Sequence, residues 1–430
     1  MPTPPWSEPA RIARIALSPR ARRAPRRGGL LRAAASVACL LSLTLAARIG
    51  GVAAAPESDR VRIDSQLTFL THAVDGGADA DMQAFFPEGE FFTDILTGLA
   101  AAQSGRPAEA ERMLDAATRP HVADRFGTIP ALEHGTFYRG WTLLLRAELA
   151  HVAGRAADDT LQTEADAVAA ALVADADGVP ESYRDGRWPC DAVVAMAAVV
   201  RAHALAGRPT PGLDAWLAKL DKLRDPATGL LPHRLSTRAD PTSDGPRGTS
   251  QAIIQAFWPA VAPADAARSW AAFRETFVTR EWGLVGVREF RRGSEGPADV
   301  DTGPLILGVS ASASAVTLGA ARANGDAALA LDLDREAELL GLPVSLPDGR
   351  RFAFGLLPVG DAWVAWARSV AMPAQTDANT TDDPAVQRII DERRPRALLW
   401  PWTLPPLLAA AAFGWAAVGR PARLLTRLGG

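Results

Sequence analysis

The sequence predicts an all-α protein made of six helical hairpins, and two observations support this prediction. First, glycines that favour turns recur along the chain at spacings of 50, 51, 51, 54 and 66 residues. These glycines are Gly77, Gly127, Gly178, Gly229, Gly283 and Gly349. Second, each glycine is followed by a polar stretch, an apolar segment and a more amphipathic segment, whereas strand-like alternation is rare. A repeat that contains two helical segments is typical of stacked helical hairpins.

The apolar segments predict inner helices, because their small residues on several faces suit burial all round. We expect these inner helices at 89–104, 134–153, 189–206, 248–261, 302–323 and 358–371. The amphipathic segments predict outer helices, and start signals such as Pro107 followed by Glu109 support them. We expect the outer helices at 107–118, 160–174, 211–224, 264–279, 326–340 and 384–393. The best strand candidate, Leu284–Phe290, is too short and isolated for us to expect a sheet.

Six hairpins of this period resemble the (α/α)6 toroid. Many glycoside hydrolases, polysaccharide lyases and terpene-processing enzymes share this fold, as does linalool dehydratase-isomerase. The resemblance covers residues 57–395, and it is architectural. It implies a closed ring with one cleft. An open α-solenoid is the alternative, but tetratricopeptide units are only about 34 residues long. Long loops on one side favour closure.

The N-terminus predicts a secretory signal. Residues 1–32 carry eight Arg and one acid, a charge of about +7, whereas the whole chain has a net charge of −3. The residues after 32 therefore carry a charge of about −10. An apolar run, Ala33–Ala47, follows, and an Ala-x-Ala sequence ends at Ala55. This pattern is that of a cleaved signal peptide or of an uncleaved signal anchor at 33–55, and we favour the anchor because the basic leader is long.

The C-terminus predicts a transmembrane helix. Residues 397–419 contain no charge, and Trp400, Trp402 and Trp415 lie toward the ends of this segment, as interfacial anchors do. The tail at 420–430 carries three Arg and no acid. By the positive-inside rule, both termini are expected in the cytoplasm and the domain at 57–395 outside a bacterial cell membrane. A buried C-terminal helix of the globular domain is the alternative.

Composition excludes several classes of function. An acidic body argues against nucleic-acid binding, which needs a basic face. The two cysteines, Cys39 and Cys190, are not expected to pair. We find no metal-ligand cluster, phosphate loop or dinucleotide motif, so no cofactor is predicted.

Two carboxylates are the main catalytic candidates. Asp191 ends the segment Trp188-Pro189-Cys190-Asp191 before an inner helix, and Asp301 lies in the segment Asp299-Val-Asp-Thr302 before another. A pair of carboxylates from opposite hairpins would supply the general acid and base that cleave a glycosidic bond. Either residue could instead cap its helix.

Other polar residues concentrate in the same long segments. Glu133 is a third candidate acid, and His134 and Tyr138 are candidate proton-transfer partners. The predicted substrate-binding residues are Tyr183, Arg187, Trp188, His233, Arg247, Gln251, Arg288 and Asp299. The arginines could bind an acidic ligand such as a uronic acid or a lipid-linked sugar, or could balance the acids of the rim. Trp141, Trp188 and Trp258 could stack on sugar rings or belong to the core.

We therefore expect a membrane-tethered, carbohydrate-active hydrolase or lyase that acts on an envelope or extracellular glycan. A lyase or isomerase similar to linalool dehydratase-isomerase is an alternative. That family carries a Cys-Glu-Pro-Asp segment and a second Cys near the third inner helix; here Pro189-Cys190-Asp191 is similar in place, but no second Cys follows. A non-catalytic ligand-binding or assembly protein of the envelope is a further alternative.

Overall fold

The computed structural model describes residues 27–53, 59–154, 158–281, 284–373 and 400–418. The chain divides into two compact units. One consists of 1–49 with 400–430, and the other of 50–399. Both are mostly helical in their described parts.

The first unit contains most of helix α1 (Arg27–Ala53) and the C-terminal helix, here α16 (Leu404–Val418), which a short 3-10 turn (Trp400–Thr403) precedes. Within the described residues, Gly29–Val52 is the one helical segment long and apolar enough to cross a membrane. A signal sequence near the N-terminus has the same length and composition. Helix α16 has 15 residues and spans about 22 Å, which is less than a bilayer core of about 30 Å. The transmembrane span at 397–419 therefore stays a prediction.

The second unit is organised around six inner helices. They are α4 (Gly89–Gln103), α7 (Gly135–Val152), α9 (Pro189–Leu205), α11 (Gly248–Val261), α13 (Ala311–Ala323) and α15 (Pro358–Ser369). Each packs against the next, and α15 packs against α4. Five of the six lie within two residues of their predicted bounds. The exception is α13, which begins at Ala311 rather than at 302 because a strand hairpin precedes it.

The outer helices follow the inner ones along the chain. They are α5 (Pro107–Ala117), α8 (Asp159–Ala174), α10 (Leu213–Asp221), α12 (Pro263–Phe277) and α14 (Ala327–Leu340), close to their predicted places. The predicted outer helix at 384–393 lies outside the described residues. A helix that we did not predict, α2 (Asp59–Asp75), packs against α15 and α4. The short helices α3 (Ala78–Met82) and α6 (Pro120–Ala123) lie in segments that lead to inner helices.

The repeated glycines do form turns. Gly77, Gly127, Gly178, Gly229 and Gly349 all have φ between +67° and +118°, a region that favours glycine. Gly283 lies outside the described residues. A different requirement applies to Gly140 on α7, where an added Cβ would lie 2.9 Å from the Cβ of Ala195 on α9. Glycine is needed there because the two inner helices approach closely.

The expectation of no sheet was wrong. Strand β2 (Leu284–Arg288) pairs with β1 (Val278–Glu281) and β4 (Val309–Ser310), and β4 pairs with β3 (Leu305–Ile306), all antiparallel. A separate hairpin joins β5 (Val344–Leu346) to β6 (Gly349–Arg351). Because the strands have two to five residues, their alternation was too brief to recognise.

Aromatic side chains fill the space between the inner helices. Trp141 contacts Phe92, Phe257, Trp363 and Trp366 edge to face, at centroid distances of 5.5 to 6.4 Å. Trp141 and Trp258 are both fully buried, so they belong to the core and are not placed to stack on a ligand.

A buried ion network joins the two ends of this unit. Arg368 of α15 donates to Asp334 of α14 at 2.8 Å and to Gln66 of α2 at 2.6 Å, although Gln66 and Arg368 are 302 residues apart. Arg62 of α2 pairs with the same Asp334 at 2.7 Å. Charged groups this deep persist only when they are paired, so the network holds α2, α14 and α15 together.

Candidate functional site

Three carboxylates that precede or begin inner helices in the sequence interact electrostatically. Glu88 immediately precedes α4, Asp191 lies in the first turn of α9, and Asp301 lies in the loop between β2 and β3. Burial raises the pKa of Glu88 and of Asp191, and nearby charges add to both shifts: Asp301 raises the pKa of Glu88, and Glu88 and Asp301 raise that of Asp191. We call the site formed by Glu88, Tyr183, Cys190, Asp191 and Asp301 the carboxylate recess.

Asp191 is a buried acid with a raised pKa. Burial raises its pKa to about 7, the charges of Glu88 and Asp301 add to this, and hydrogen bonds from Ser182 and Cys190 oppose it. Among the described residues, these side chains are its hydrogen-bond partners, and no N–H group of α9 is. The alternative in which Asp191 only caps its helix is therefore disfavoured.

Asp301 is the solvent-exposed carboxylate of the three. The residue is exposed, but the surrounding chain removes enough water from its carboxylate to raise the pKa to about 6, with a further contribution from Asp299. It does not cap α13. The cap of that helix is Ser310, whose hydroxyl accepts from the Ala313 N–H at 3.0 Å.

Tyr183 links Glu88 to an aromatic wall. Its hydroxyl donates to the Glu88 carboxylate, and burial raises the pKa of Tyr183 well above its usual range. Its ring stacks on Phe137 at 5.3 Å and meets Trp188 edge to face at 5.4 Å. Burial also raises the pKa of Glu88. Tyrosine and carboxylate together form a hydrogen-bonded pair that can hold or transfer a proton.

Cys190 is a buried thiol. Its Sγ lies 3.8 Å from Asp191 Oδ1, and burial raises its pKa well above the usual range, with the neighbouring acids adding to the shift. The group is thus a neutral thiol at neutral pH. Its surroundings do not activate it as a thiolate nucleophile.

The remaining predicted catalytic residues are Glu133 and His134, just before α7, and Tyr138, in its first turn. Glu133 is 75% exposed, and its carboxylate is 4.0 Å from His134 Nε2. His134 Nδ1 is 3.0 Å from the Gly127 carbonyl, and its ring contacts Tyr138 at 5.2 Å. Tyr138 is buried, which raises the pKa of its hydroxyl. None of the three contributes to the pKa shifts of Glu88, Asp191 or Asp301.

The predicted arginines have partners in the protein. Arg187 pairs with Asp175 at 2.9 Å and with Asp177 at 3.0 Å. Arg247 bridges Glu289 at 2.8 Å and Asp299 at 2.5 Å. For these two, the alternative in which arginines balance the rim's own acids is the better description.

Arg288 has a different role, because its guanidinium bonds the Leu307 carbonyl at 3.1 Å and the Phe290 carbonyl at 3.3 Å. These contacts hold the loop that contains Asp301. Two further candidates are buried at the fourth hairpin. His233 has its pKa lowered to about 4 by burial and by the Arg247 charge, and Gln251 donates to the Leu231 carbonyl at 2.6 Å.

A cavity of about 400 Å³ adjoins Arg247 and Asp299. Its walls include Asp244, Phe290 and Arg291. It is distinct from the carboxylate recess, since none of the five recess residues lines it. Asp299 lines the cavity and lies two residues before Asp301 of the recess.

The sequence analysis did not select Glu88 of the recess, or Ser182, which donates a hydrogen bond to Asp191. Glu88 was one of several polar residues before α4, and Ser182 stood in an unremarked loop. Glu90, two residues beyond Glu88, is instead paired with His121 at 2.9 Å and with Arg125 at 2.5 Å. Position in the sequence distinguishes the two acids: Glu88 lies just before the first residue of α4, whereas Glu90 lies within that buried helix.

Among the residues that the structure describes, no group of three His, Cys, Asp or Glu could hold a metal ion. No protein-family model matches the sequence, and no match was found among curated proteins.

Proposed function

We propose that the second unit is an (α/α)6 toroid and that the chain is tethered to a bacterial cell membrane with this unit outside. The support for the toroid is the cyclic order of helix contacts, in which α15 returns to α4. The support for the tether is the apolar helix at Gly29–Val52 together with the basic leader before it.

We propose further that the protein is a carbohydrate-active hydrolase or lyase that uses paired carboxylates. The observation that carries this proposal is the convergence of Glu88, Asp191 and Asp301 in one recess, with the pKa of Asp191 at about 7 and that of Asp301 at about 6. Perturbed carboxylates that cluster in a cleft are the usual means of acid–base catalysis near neutral pH.

The two pKa values suggest a division of roles. Near pH 6.5 Asp191 is mostly protonated and Asp301 mostly ionised, given pKa values of about 7 and about 6. Asp191 can then donate a proton to the leaving oxygen, and Asp301 can activate water or remove a proton from the substrate. The hydrogen-bonded Tyr183–Glu88 pair interacts with both acids and can return a proton to Asp191 after each turnover.

The test is glycan cleavage by the full-length protein reconstituted in lipid nanodiscs, assayed as new reducing ends or new double bonds on a panel of neutral and acidic polysaccharides. Asp191→Asn and Asp301→Asn should each lower kcat at least 100-fold. Asp185→Asn is the matched control, because Asp185 is an exposed neighbour with φ +61°, a conformation that Asn tolerates. Unchanged cleavage in both recess variants would remove them from the mechanism, and no cleavage in the unaltered protein would favour a binding protein.

A second candidate function is a lyase or isomerase that acts on a terpenoid or alkenol. The observation that favours it is the buried Cys190 thiol beside Asp191, on the segment that begins with Trp188 of the aromatic wall. Dehydration of an alkenol needs an acid and a base in an apolar site. Cys190→Ala should abolish that activity but leave glycan cleavage within a few-fold, so the substitution separates the two candidates.

A further inference from the structure

The loop that carries Asp301 continues into an exposed apolar hairpin tip. Ile306 is 73% exposed and Leu307 is 81% exposed. Residues 303–309 contain no charged side chain. We call Ile306 and Leu307 the apolar finger.

Protein stability does not account for Leu307. Its φ is +53°, in the left-handed region that glycine and asparagine tolerate and that leucine disfavours. Its side chain also gains nothing from burial, since it stands in solvent. A residue that is both strained and exposed is expected mainly at functional sites.

The finger is held in place rather than loose. Arg288 Nη1 donates to the Leu307 carbonyl at 3.1 Å. Gly308 leaves room for that guanidinium, because a Cβ there would lie 2.6 Å from Arg288 Nη2. At the base of the loop, Ser310 Oγ donates to the Thr302 carbonyl at 2.8 Å, next to Asp301. Fixed geometry is what a binding element requires.

A second segment with the same character precedes α15. Phe354 has φ +61° and is 66% exposed, and Leu356 is 71% exposed. Helix α15 packs between α13, which the finger precedes, and α4, which Glu88 precedes. The two strained apolar segments and Glu88 of the recess therefore each precede one of three inner helices that pack against one another in the order α13, α15, α4.

We propose that the apolar finger, with Phe354 and Leu356, binds a hydrocarbon chain of the substrate while the polar part of the same molecule occupies the carboxylate recess. The proposal rests on the proposed function, because it assigns the substrate to amphipathic glycans such as glycolipids. Asp301 is exposed and is followed two residues later by the uncharged segment 303–309, and an alkyl or prenyl chain matches exposed Ile, Leu and Phe side chains. This arrangement pairs apolar anchors with a few polar groups, as ligand sites do.

The experiment is photoaffinity labelling of the full-length protein in lipid nanodiscs. The probe is an alkyl glucoside with a diazirine at the end of its chain, and the control probe is glucose with a diazirine but no chain. Mass spectrometry should place the alkyl label in peptides that contain 303–309 and 353–357. Labelling should fall at least fivefold in the double variant Ile306→Ser, Leu307→Asn, and should be unchanged in Leu331→Ser, an exposed leucine of α14.

Thermal stability supplies the second readout. Leu307→Gly should raise Tm or leave it unchanged, because it relieves the backbone, while it lowers labelling. A fall in Tm together with unchanged labelling would show that the finger is structural and would overturn the proposal. Equal labelling by a diazirine phospholipid in the nanodisc would make the bilayer the occupant, and a loss of self-association in the double variant would make it a second copy; either result also overturns it.

Failure of the proposed reaction is distinguishable. Asp191→Asn and Asp301→Asn should abolish cleavage while the alkyl label stays in the same peptides, because Asn keeps the size and polarity of each side chain and the finger still holds the chain. If no glycan is cleaved but the finger is labelled, the binding assignment stands without the reaction. If cleavage depends on both acids but chain-free glycans are cleaved as well as alkyl glucosides, the reaction stands and the finger assignment is wrong.

Discussion

Arg368 of α15 donates from Nε to Asp334 Oδ1 of α14 at 2.8 Å, and both side chains are almost completely buried. The same carboxylate accepts Arg62 of α2, so one acid serves two cations. Removing one member leaves uncompensated charge in the interior. This pair therefore matters more to stability than its single bond suggests.

Arg368→Leu should lower the free energy of unfolding by about 3 to 5 kcal/mol, because Asp334 and Glu338 lose a buried partner. Urea denaturation followed by circular dichroism measures the change. Arg112→Ala is the control, since Arg112 pairs with Asp75 at the surface at 3.0 Å and should cost at most about 1 kcal/mol. Equal losses in the two variants would contradict the role of burial.

Catalysis should show a narrow bell-shaped pH profile. Activity should rise as Asp301 ionises, with a pKa of about 6, and fall as Asp191 loses its proton, with a pKa of about 7. The optimum is then near pH 6.5. The dependence of kcat/KM on pH, with the most active glycan of the panel, checks this expectation. Because the two acids interact, the limbs report the pair. A flat profile between pH 5 and 8 would exclude this assignment.

Asp94→Asn should stabilise the protein at alkaline pH. Asp94 is fully buried on α4, and neither carboxylate oxygen has a hydrogen-bond partner among the described residues. Burial raises its pKa well above the usual value, and Asp79 adds to the shift. The folded state thus binds this proton more tightly than the unfolded state, so its ionisation removes stability as pH rises above the unfolded pKa.

Thermal unfolding of wild type and Asp94→Asn at pH 5 and pH 8.5 measures this effect. The gain in Tm should be larger at pH 8.5. Asp115→Asn, on the outer helix α5, should show no such difference between the two pH values. A gain that is equal at both pH values would show that Asp94 does not titrate against folding.

Gly140→Ala should lower the free energy of unfolding by about 1 to 3 kcal/mol, because the new methyl would lie 2.9 Å from the Ala195 Cβ and 3.0 Å from its Cα. Gly245→Ala is the matched control, since nothing lies within 4 Å of the position where its Cβ would stand. Denaturant titration measures both variants. A neutral result for Gly140→Ala would mean that α7 and α9 can separate at no cost.

The repeat period and the inner helices were predictable because each hairpin encodes its own turn glycine and apolar run. Helix α11 occupies its predicted range, 248–261. The start of α13 was not predictable, since the two-residue strands β3 and β4 form only through pairing with each other and with β2. Helix α2 was missed because its mixed sequence gains a buried face only from contacts with distant segments.

The site was predictable in part. Asp191 and Asp301 were selected as carboxylates before inner helices, and the charge of Asp301 does contribute to the raised pKa of Asp191. Their catalytic role stays a prediction. The partners of the arginines were not predictable. Arg247, for example, pairs with Asp299 at 2.5 Å across 52 residues, and sequence spacing does not reveal such a contact.

The contact between Gln66 and Arg368 also concerns the time at which the protein can fold. These residues are 302 positions apart. At a synthesis rate of about 5 to 20 residues per second, α2 waits roughly 15 to 60 seconds for its partner to be made. Hairpins in the middle of the chain can form on emergence, because their contacts are local. Helix α2, by contrast, keeps Gln66 without its Arg368 partner until the last inner helix has been made, so this unit completes its fold late in synthesis.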